Sequence, residues 1–562
     1  MKNKVTRSTR DVLAHTADLV LLNGLIVTGA QGADTPPRAQ AIAMRSGRVL
    51  AVGEDDDVRD AIGAATLVID VGGRTIIPGL IDSHLHMIRA GLTWNQELHW
   101  EPVTQLRVAL GMIMEAARRQ KPGSWIRVVG GWHHGQFAER RPPTRAELDQ
   151  AAPDHPVYVQ FIYEWALLNS AAIRALNLTR ETEDPPGGHF ERDAQGEPTG
   201  LIRGLGAYAW VTERMTPATL EEQVASTRSL SLAFNRVGLT GVIDGGGYGT
   251  GPDSYGAIYE LWRRGGLTTR VRLTLHASAS GVELEEFQQL VRFANARFGD
   301  GRLQVLGGGE ITVYAAHDRE GLYPFELTPD ALADLRRVTF LLAKHRWSLH
   351  QHAALNETIT AVLDIWEEVN RAHPIAPLRW AVLHAEPIDE RNIRRIKALG
   401  AGLLIQSRHR FRGNEMLQIL GAERMRSVPP LRTMLDANIP VGAGTDAMRA
   451  AWFNPFPSLH WFVTGRSITG AEVRGPEHLL SREEALRLYT LGSAWFSYEE
   501  ETRGSLEPGK LADLAVLSAD YLTVPEEELP HIESLLTVVG GQPVYAVGPF
   551  AGLEDRADAL LV

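Results

Sequence analysis

A chain of 562 residues is too long for one ordinary hydrophobic core, so a large domain and at least one smaller one are expected. Its 44% hydrophobic and 22% charged residues fit a soluble globular protein, and a net charge of −11 with no basic tract argues against nucleic-acid binding. There is no cysteine, so no disulfide framework exists, and a metal would be held by His, Asp, Glu or a lysine derivative.

The start, Met1-Lys2-Asn3-Lys4, is basic, but Asp11, His15 and Asp18 interrupt any apolar signal core. No apolar run reaches membrane-spanning length. A cytoplasmic protein without a membrane partner is expected. Tryptophan, at 13 residues, often lines apolar pockets, although it also packs cores.

Asp18 to Val27 reads as a strand, an Asn23-Gly24 turn and a second strand. Ala41 to Val52 repeats the pattern around Ser46-Gly47, and Leu67 to Pro78 adds a hairpin around Gly72-Gly73. This antiparallel unit precedes Ile76 to His86, an apolar strand that ends in His84 and His86. At the other end, Gly504 to Leu517 gives a turn and a strand, and Leu536 to Val547 a hairpin around Gly540-Gly541. The two ends most economically form one composite β-sandwich, with the middle of the chain inserted.

The middle alternates strands and helices. After the first strand come Gly241 to Asp244, Arg270 to His276, Leu303 to Tyr314, Ser348 to Ala353, Trp380 to Ala385, Ala401 to Gln406 and Ile439 to Asp446. Thr328-Pro329 and Asp389 are helix starts, and Ser481 with Glu484 is a capping box. Eight strands alternating with helices point to an α/β fold, a (β/α)8 TIM-like barrel. The stretch from about 95 to 236 is too long for one connection and predicts an inserted subdomain with a β ribbon. The expected division is 1–78 and 497–562 for the sandwich and 79–496 for the barrel.

Barrel chemistry sits at the C-terminal ends of the strands. His84 and His86 end the first strand, Glu310 lies in the fourth after Gly307, Gly308 and Gly309, and His352, His384 and Asp446 end the fifth, sixth and eighth. Side chains alternate along a strand, so His84 and His86 share a face. His350 shares a face with His352, but His352 is nearer the strand end. Imidazoles with carboxylates suit one or two zinc ions, or a similar dication. Zinc brings the pKa of its water to about 7. Asp446 can take that water's proton and pass it to a leaving amine. Glu310 is the obvious bridge if a second ion is present. The chemistry predicted is hydrolysis at a carbonyl-type centre.

These residues resemble the amidohydrolase superfamily, within it the subgroup of YtcJ-like proteins and N-substituted formamide deformylase. The resemblance runs from about Asp18 to Val547. It is carried by Pro78 to His86, Gly131-Trp132, Asn169-Ser170, Gly196 to Gly200, Gly238-Leu239-Thr240 with Asp244, Gly442 to Asp446, Tyr489-Thr490, Gly504-Ser505-Leu506 and Gly509 to Asp513. It implies metal ligands at His84, His86, His352, His384 and Asp446, with Asp446 as proton shuttle, and a homodimer. Three positions depart from the subgroup. Glu310 stands where relatives often have a lysine, Tyr314 and Ala315 replace an Asp-Gly, and Ile162-Tyr163-Glu164 replaces an Asp-Gly-His.

Substrate-side candidates are Trp132 and His133, then Tyr163, Glu164 and Trp165, then Arg408, His409 and Phe411, then Trp452 and Phe453. They predict an apolar, aromatic pocket with a few polar groups, suited to a hydrophobic amide. The expected activity is metal-dependent hydrolysis of a non-peptide C–N bond in a small molecule. Deamination of a C=N centre, a decarboxylase or isomerase, and a metal-free scaffold are the alternatives.

Overall fold

The computed structural model describes residues 16–318 and 322–554. Asp11 and His15, invoked above for the chain start, lie outside them, as do the outermost residues of the expected end segments. Eight parallel strands form the barrel: β1 (Leu80–Leu85), β2 (Leu239–Asp244), β3 (Arg270–Leu275), β4 (Leu303–Glu310), β5 (Ser348–Ala353), β6 (Ala381–His384), β7 (Gly402–Gln406) and β8 (Val441–Gly444). They neighbour one another in chain order. The register sets Glu310 beside Gln351, Ala353 beside His384 and Gln406 beside Gly444, which brings the strand ends to one level.

The ring closes without a regular ladder. The Asp446 N–H donates to the His84 carbonyl at 2.9 Å, and the His86 N–H to the Ala447 carbonyl at 2.8 Å. Gly444 permits this approach, because a Cβ there would lie 2.7 Å from the His84 nitrogen and 2.9 Å from its carbonyl oxygen. Ile243, Leu306, Leu383, Leu404 and Phe496 fill part of the core as one buried cluster. Each such side chain contributes about 1.5–3 kcal/mol by leaving water.

Strands from both chain ends share a six-stranded sheet, in which Leu514–Leu517 pairs with Thr75–Pro78. A four-stranded sheet from the N-terminal end faces the same apolar cluster, which includes Leu19, Ile42, Val516 and Val538. The composite sandwich is present, but its wiring differs from the sequence expectation. Leu19–Leu22 and Leu25–Val27 lie in different sheets, as do Leu67–Asp70 and Thr75–Pro78. The Asn23-Gly24 and Gly72-Gly73 turns therefore carry the chain between sheets, and each leads into parallel pairing. The Ser46-Gly47 and Gly540-Gly541 turns do close antiparallel hairpins. The stretch Ile76 to His86 is likewise two strands, divided at Gly79.

Buried ion pairs tie the barrel to the sandwich side. Arg270 on β3 donates to both oxygens of Asp513, at 2.7 and 2.9 Å. Glu499 accepts from Arg272 and Arg503, each with a bond of 2.6 Å. Burial works to raise the Glu499 carboxyl, but the two guanidinium groups hold it down at about 2.

The insert is a five-stranded sheet with its own aromatic core. The predicted ribbon is the hairpin of His189–Arg192 and Pro198–Arg203. The helix Leu220–Arg236 gives Val224, Leu230 and Phe234 to the barrel core. No helix among the described residues is long and apolar enough to cross a membrane.

Candidate metal centre

The barrel mouth gathers imidazoles and carboxylates from five strands. All six residues of β1 are buried, and Asp82 and His84 face inward together. Asp82 accepts from the His84 N–H at 3.0 Å and from the Thr445 hydroxyl at 2.6 Å, which pins β1 to the chain leaving β8. His84 Nε2 lies 3.3 Å from Glu310 Oε2 and 3.6 Å from Asp446 Oδ1. His86 Nε2 lies 3.1 Å from Asp446 Oδ1 and 3.7 Å from Glu310 Oε1. His352 Nδ1 and His384 Nε2 reach Glu310 Oε2 at 3.5 and 3.6 Å.

The other ring nitrogens are engaged from behind. His86 Nδ1–H donates to the Gly246 carbonyl at 2.8 Å, which leaves the Nε2 lone pair for the centre. His352 Nε2–H donates to the Asp318 carbonyl at 2.7 Å, with Asp318 Oδ1 at 3.0 Å. The Ala354 and Leu355 N–H groups hold the Asp318 carboxylate in turn.

Several buried atoms facing the centre have no hydrogen-bond partner among the described residues: His84 Nε2, His352 Nδ1, His384 Nε2, Glu310 Oε2 and Asp446 Oδ2. Buried polar atoms are seldom left so, unless something else completes them. The donor atoms form three overlapping groups, His84/His86/Asp446, His84/Glu310/His384 and Glu310/His317/His352, each with its atoms within 4.8 Å of one another. Burial would lower the His84 and His352 rings, yet Asp446, Glu310 and Asp318 hold both up at about 10. Burial would raise Glu310 and Asp446, yet the histidines hold both far below the ordinary carboxylate range. A field that keeps protons on buried imidazoles is one that a divalent cation satisfies by replacing them. The residues fit a metal.

Two backbones here are strained. His384 has φ 71° and Asp446 φ 61°, in the left-handed region that side chains other than glycine seldom adopt. Such strain costs about 1–3 kcal/mol and clusters at functional sites. Gly309, with φ 144°, explains part of the glycine run before Glu310, because a Cβ there would lie 2.4 Å from the His350 carbonyl oxygen.

His350 does not join the donors. It is buried, its ring packs edge-on to Phe496, and burial pushes it down to about 3. Two groups at the centre are absent from the sequence prediction. His317 stacks on His352 with centroids 3.6 Å apart, and Asp318 supports His352 as described. Both follow a short turn beyond β4, where no strand periodicity marks them. Glu386 is the third omission. Only its position two residues after His384 could have marked it, and it accepts from Arg408 Nε at 2.9 Å.

The substrate-side candidates divide. Arg408 Nη1 lies 3.9 Å from Asp446 Oδ2, so it reaches the centre. Tyr163 faces Arg89, with the guanidinium carbon 5.8 Å from the ring centroid. Phe411 and Trp452 line a cavity of about 280 Å³ together with Ser407, Arg410 and Asn454. Trp132 is a correction: it is fully buried in the insert core, and its indole N–H donates to the Gln160 carbonyl at 2.8 Å. His133 caps its own turn by accepting from the Gly135 N–H, and Glu164 is paired with Arg412 at 2.9 Å. Trp165 stacks on Phe161, His409 packs edge-on to Trp461, and Phe453 meets Trp94 and Phe234.

The profile of the Amidohydrolase family matches residues 67–545. The chain belongs to the amidohydrolase family. It is a hydrolase of that family, with a donor set of the metal-dependent kind. It is 28% identical to N-substituted formamide deformylase of Arthrobacter pascens over 90% of this chain and 94% of that one. It is 27% identical to YtcJ of Bacillus subtilis over 93% of this chain and 98% of that one. The fold is shared with an uncharacterized metal-dependent hydrolase from Pyrococcus horikoshii, at a TM-score of 0.65 and 20% identity over 91% of this chain and 99% of that one.

Proposed function

We propose that the protein cleaves an amide or N-acyl C–N bond in a hydrophobic small molecule, with zinc as its resident metal. The observation that supports this most is the convergence, on one point of the barrel mouth, of buried donor atoms that have no hydrogen-bond partner among the described residues. His84, His86, Glu310, His352, His384 and Asp446 are the ligands in this proposal. A dication held by them supplies Lewis acidity and a water of pKa about 7. Glu310 turns Oε1 toward His86 and Oε2 toward His84, His352 and His384, so both of its oxygens would be available to help hold one or two ions.

Asp446 carries the proton. Its Oδ1 is turned to His86 and its Oδ2 has no hydrogen-bond partner among the described residues. Oδ2 accepts a proton from the attacking water as oxygen bonds to the carbonyl carbon. The same proton goes to the nitrogen as the C–N bond breaks, so one amide and one water become a carboxylic acid and an amine. Arg408 steadies the ionised Asp446 from 3.9 Å, and Glu386 orients Arg408. The cavity beside Phe411 and Trp452 takes the apolar part of the substrate. The proposal includes a cytoplasmic enzyme and a homodimer, which light scattering checks.

The test is incubation of the zinc-loaded protein with N-substituted formamides and acetamides in heavy-oxygen water. Acid product carrying one solvent oxygen, with free amine, is expected. Ammonia released from a C=N substrate without acid, or product free of solvent oxygen, contradicts it.

A further inference from the structure

His317 is set farther along the chain from its barrel strand than any ligand proposed above: it follows the turn Tyr314–Ala316, beyond β4. The chain is fixed on both sides of it. The Tyr314 N–H donates to Glu283 Oε1 at 3.1 Å, and the Asp318 carboxylate accepts from the Leu355 N–H at 2.8 Å. The His317 ring is thereby held in the barrel mouth, buried and stacked on His352.

Stacking accounts for the ring but not for its nitrogens. Nδ1 lies 3.0 Å from the hydroxyl of Tyr248, which sits on the glycine-rich loop after β2. Nε2 is buried and has no hydrogen-bond partner among the described residues. The same holds for His352 Nδ1 and Glu310 Oε2. Glu310, His317 and His352 each bring one donor atom within 4.8 Å of the other two. Because Tyr248 engages Nδ1, Nε2 is the His317 nitrogen left for an ion. Imidazole nitrogen and carboxylate oxygen are both zinc donors, so one dication completes all three atoms.

We propose that His317 is a direct ligand, through Nε2, of the ion that Glu310 and His352 help to hold, and that Tyr248 sets its tautomer. This rests on reading the barrel mouth as a metal centre. Ligation needs the Nε2 lone pair, so the ring proton sits on Nδ1 and is donated to the Tyr248 hydroxyl oxygen. Ligating imidazoles are commonly fixed in this way by an acceptor behind them. Tyr248 is thus a positioning residue, acting on the ion only through His317.

The test is a crystal structure of the zinc-loaded full chain, with zinc affinity read by chelator competition on wild type and two variants. A zinc ion about 2.0–2.1 Å from His317 Nε2 is expected. His317→Phe keeps a flat ring against His352 and removes the nitrogen. It should weaken one zinc ion per chain by more than about 100-fold, beyond the usual effect of losing an outer partner. Tyr248→Phe leaves the His317 ring untouched and should weaken the same ion by about 10- to 100-fold at unchanged Tm. This second variant decides the matter if His317→Phe does not fold. Zinc bound well beyond ligating distance from Nε2, or variants that hold zinc as tightly as wild type, would make His317 a stacking support and overturn the proposal. A wild-type chain that takes up no zinc overturns it together with the metal centre. None of these readings uses a substrate, so they stand apart from whether the centre cleaves amides.

Discussion

Asp446 meets His84 twice: its backbone N–H donates to the His84 carbonyl at 2.9 Å, and its Oδ1 lies 3.6 Å from His84 Nε2. One residue thus helps to close the barrel with its main chain and faces the centre with its side chain. The two roles separate by mutation.

Asp446→Asn keeps the backbone bond and the side-chain shape but removes the proton carrier. The expected result is a fall in kcat of at least about 100-fold, the lower end for general acid–base catalysis. Tm stays within a few degrees of wild type. Steady-state kinetics and thermal unfolding on the same sample check this. A large fall in Tm would show that the carboxylate, not only the main chain, holds the seam.

Asp318 touches His352 and faces the centre only through it. Asp318→Ala should weaken metal binding by about 10- to 100-fold, the usual effect of losing the group behind a ligating imidazole. Chelator competition reads the loss directly. Activity should return at excess zinc, whereas a catalytic role for Asp318 itself would leave activity low at saturating metal.

Gly444→Ala places a Cβ against the His84 backbone, at 2.7 Å from its nitrogen. Backbone cannot rotate away, so a loss of about 1–3 kcal/mol is expected from overpacking. The denaturant midpoint measures it. Because the strain falls at the seam, metal content should drop in the same variant.

Glu499 gives a pH dependence with a defined sign. Its carboxyl is held at about 2 in the folded state against an ordinary 4.5. A depressed carboxyl stabilises the fold fully above 4.5, and that contribution is lost as pH falls through about 2. Its size is on the order of 3 kcal/mol. In urea unfolding from pH 7 to 2.5, the gap between wild type and Glu499→Gln should therefore narrow below pH 4.5. A gap independent of pH would remove this role.

Much of this was legible because strand periodicity is local. The barrel strands and the positions of His84, His352 and His384 at their ends follow from apolar runs closed by polar residues. Sheet membership is not local. Asn23, with φ 54°, and Gly72, with φ 63°, make the turns their sequence predicts, but long-range pairing decides which sheet the next strand joins. His317 and Asp318 come to the centre from a turn without a period. Trp132 shows the limit of reading pockets from aromatic residues, because its indole finds a carbonyl partner inside a core.

The most direct test of a metal-dependent centre is metal content per chain, on wild type and on Glu310→Gln, with activity followed through chelation and zinc return. Two ions per chain in wild type, falling to one or fewer in Glu310→Gln, with activity lost on chelation and restored by zinc, is the predicted result. A chain that retains no stoichiometric metal, and keeps its activity in chelator, would contradict it.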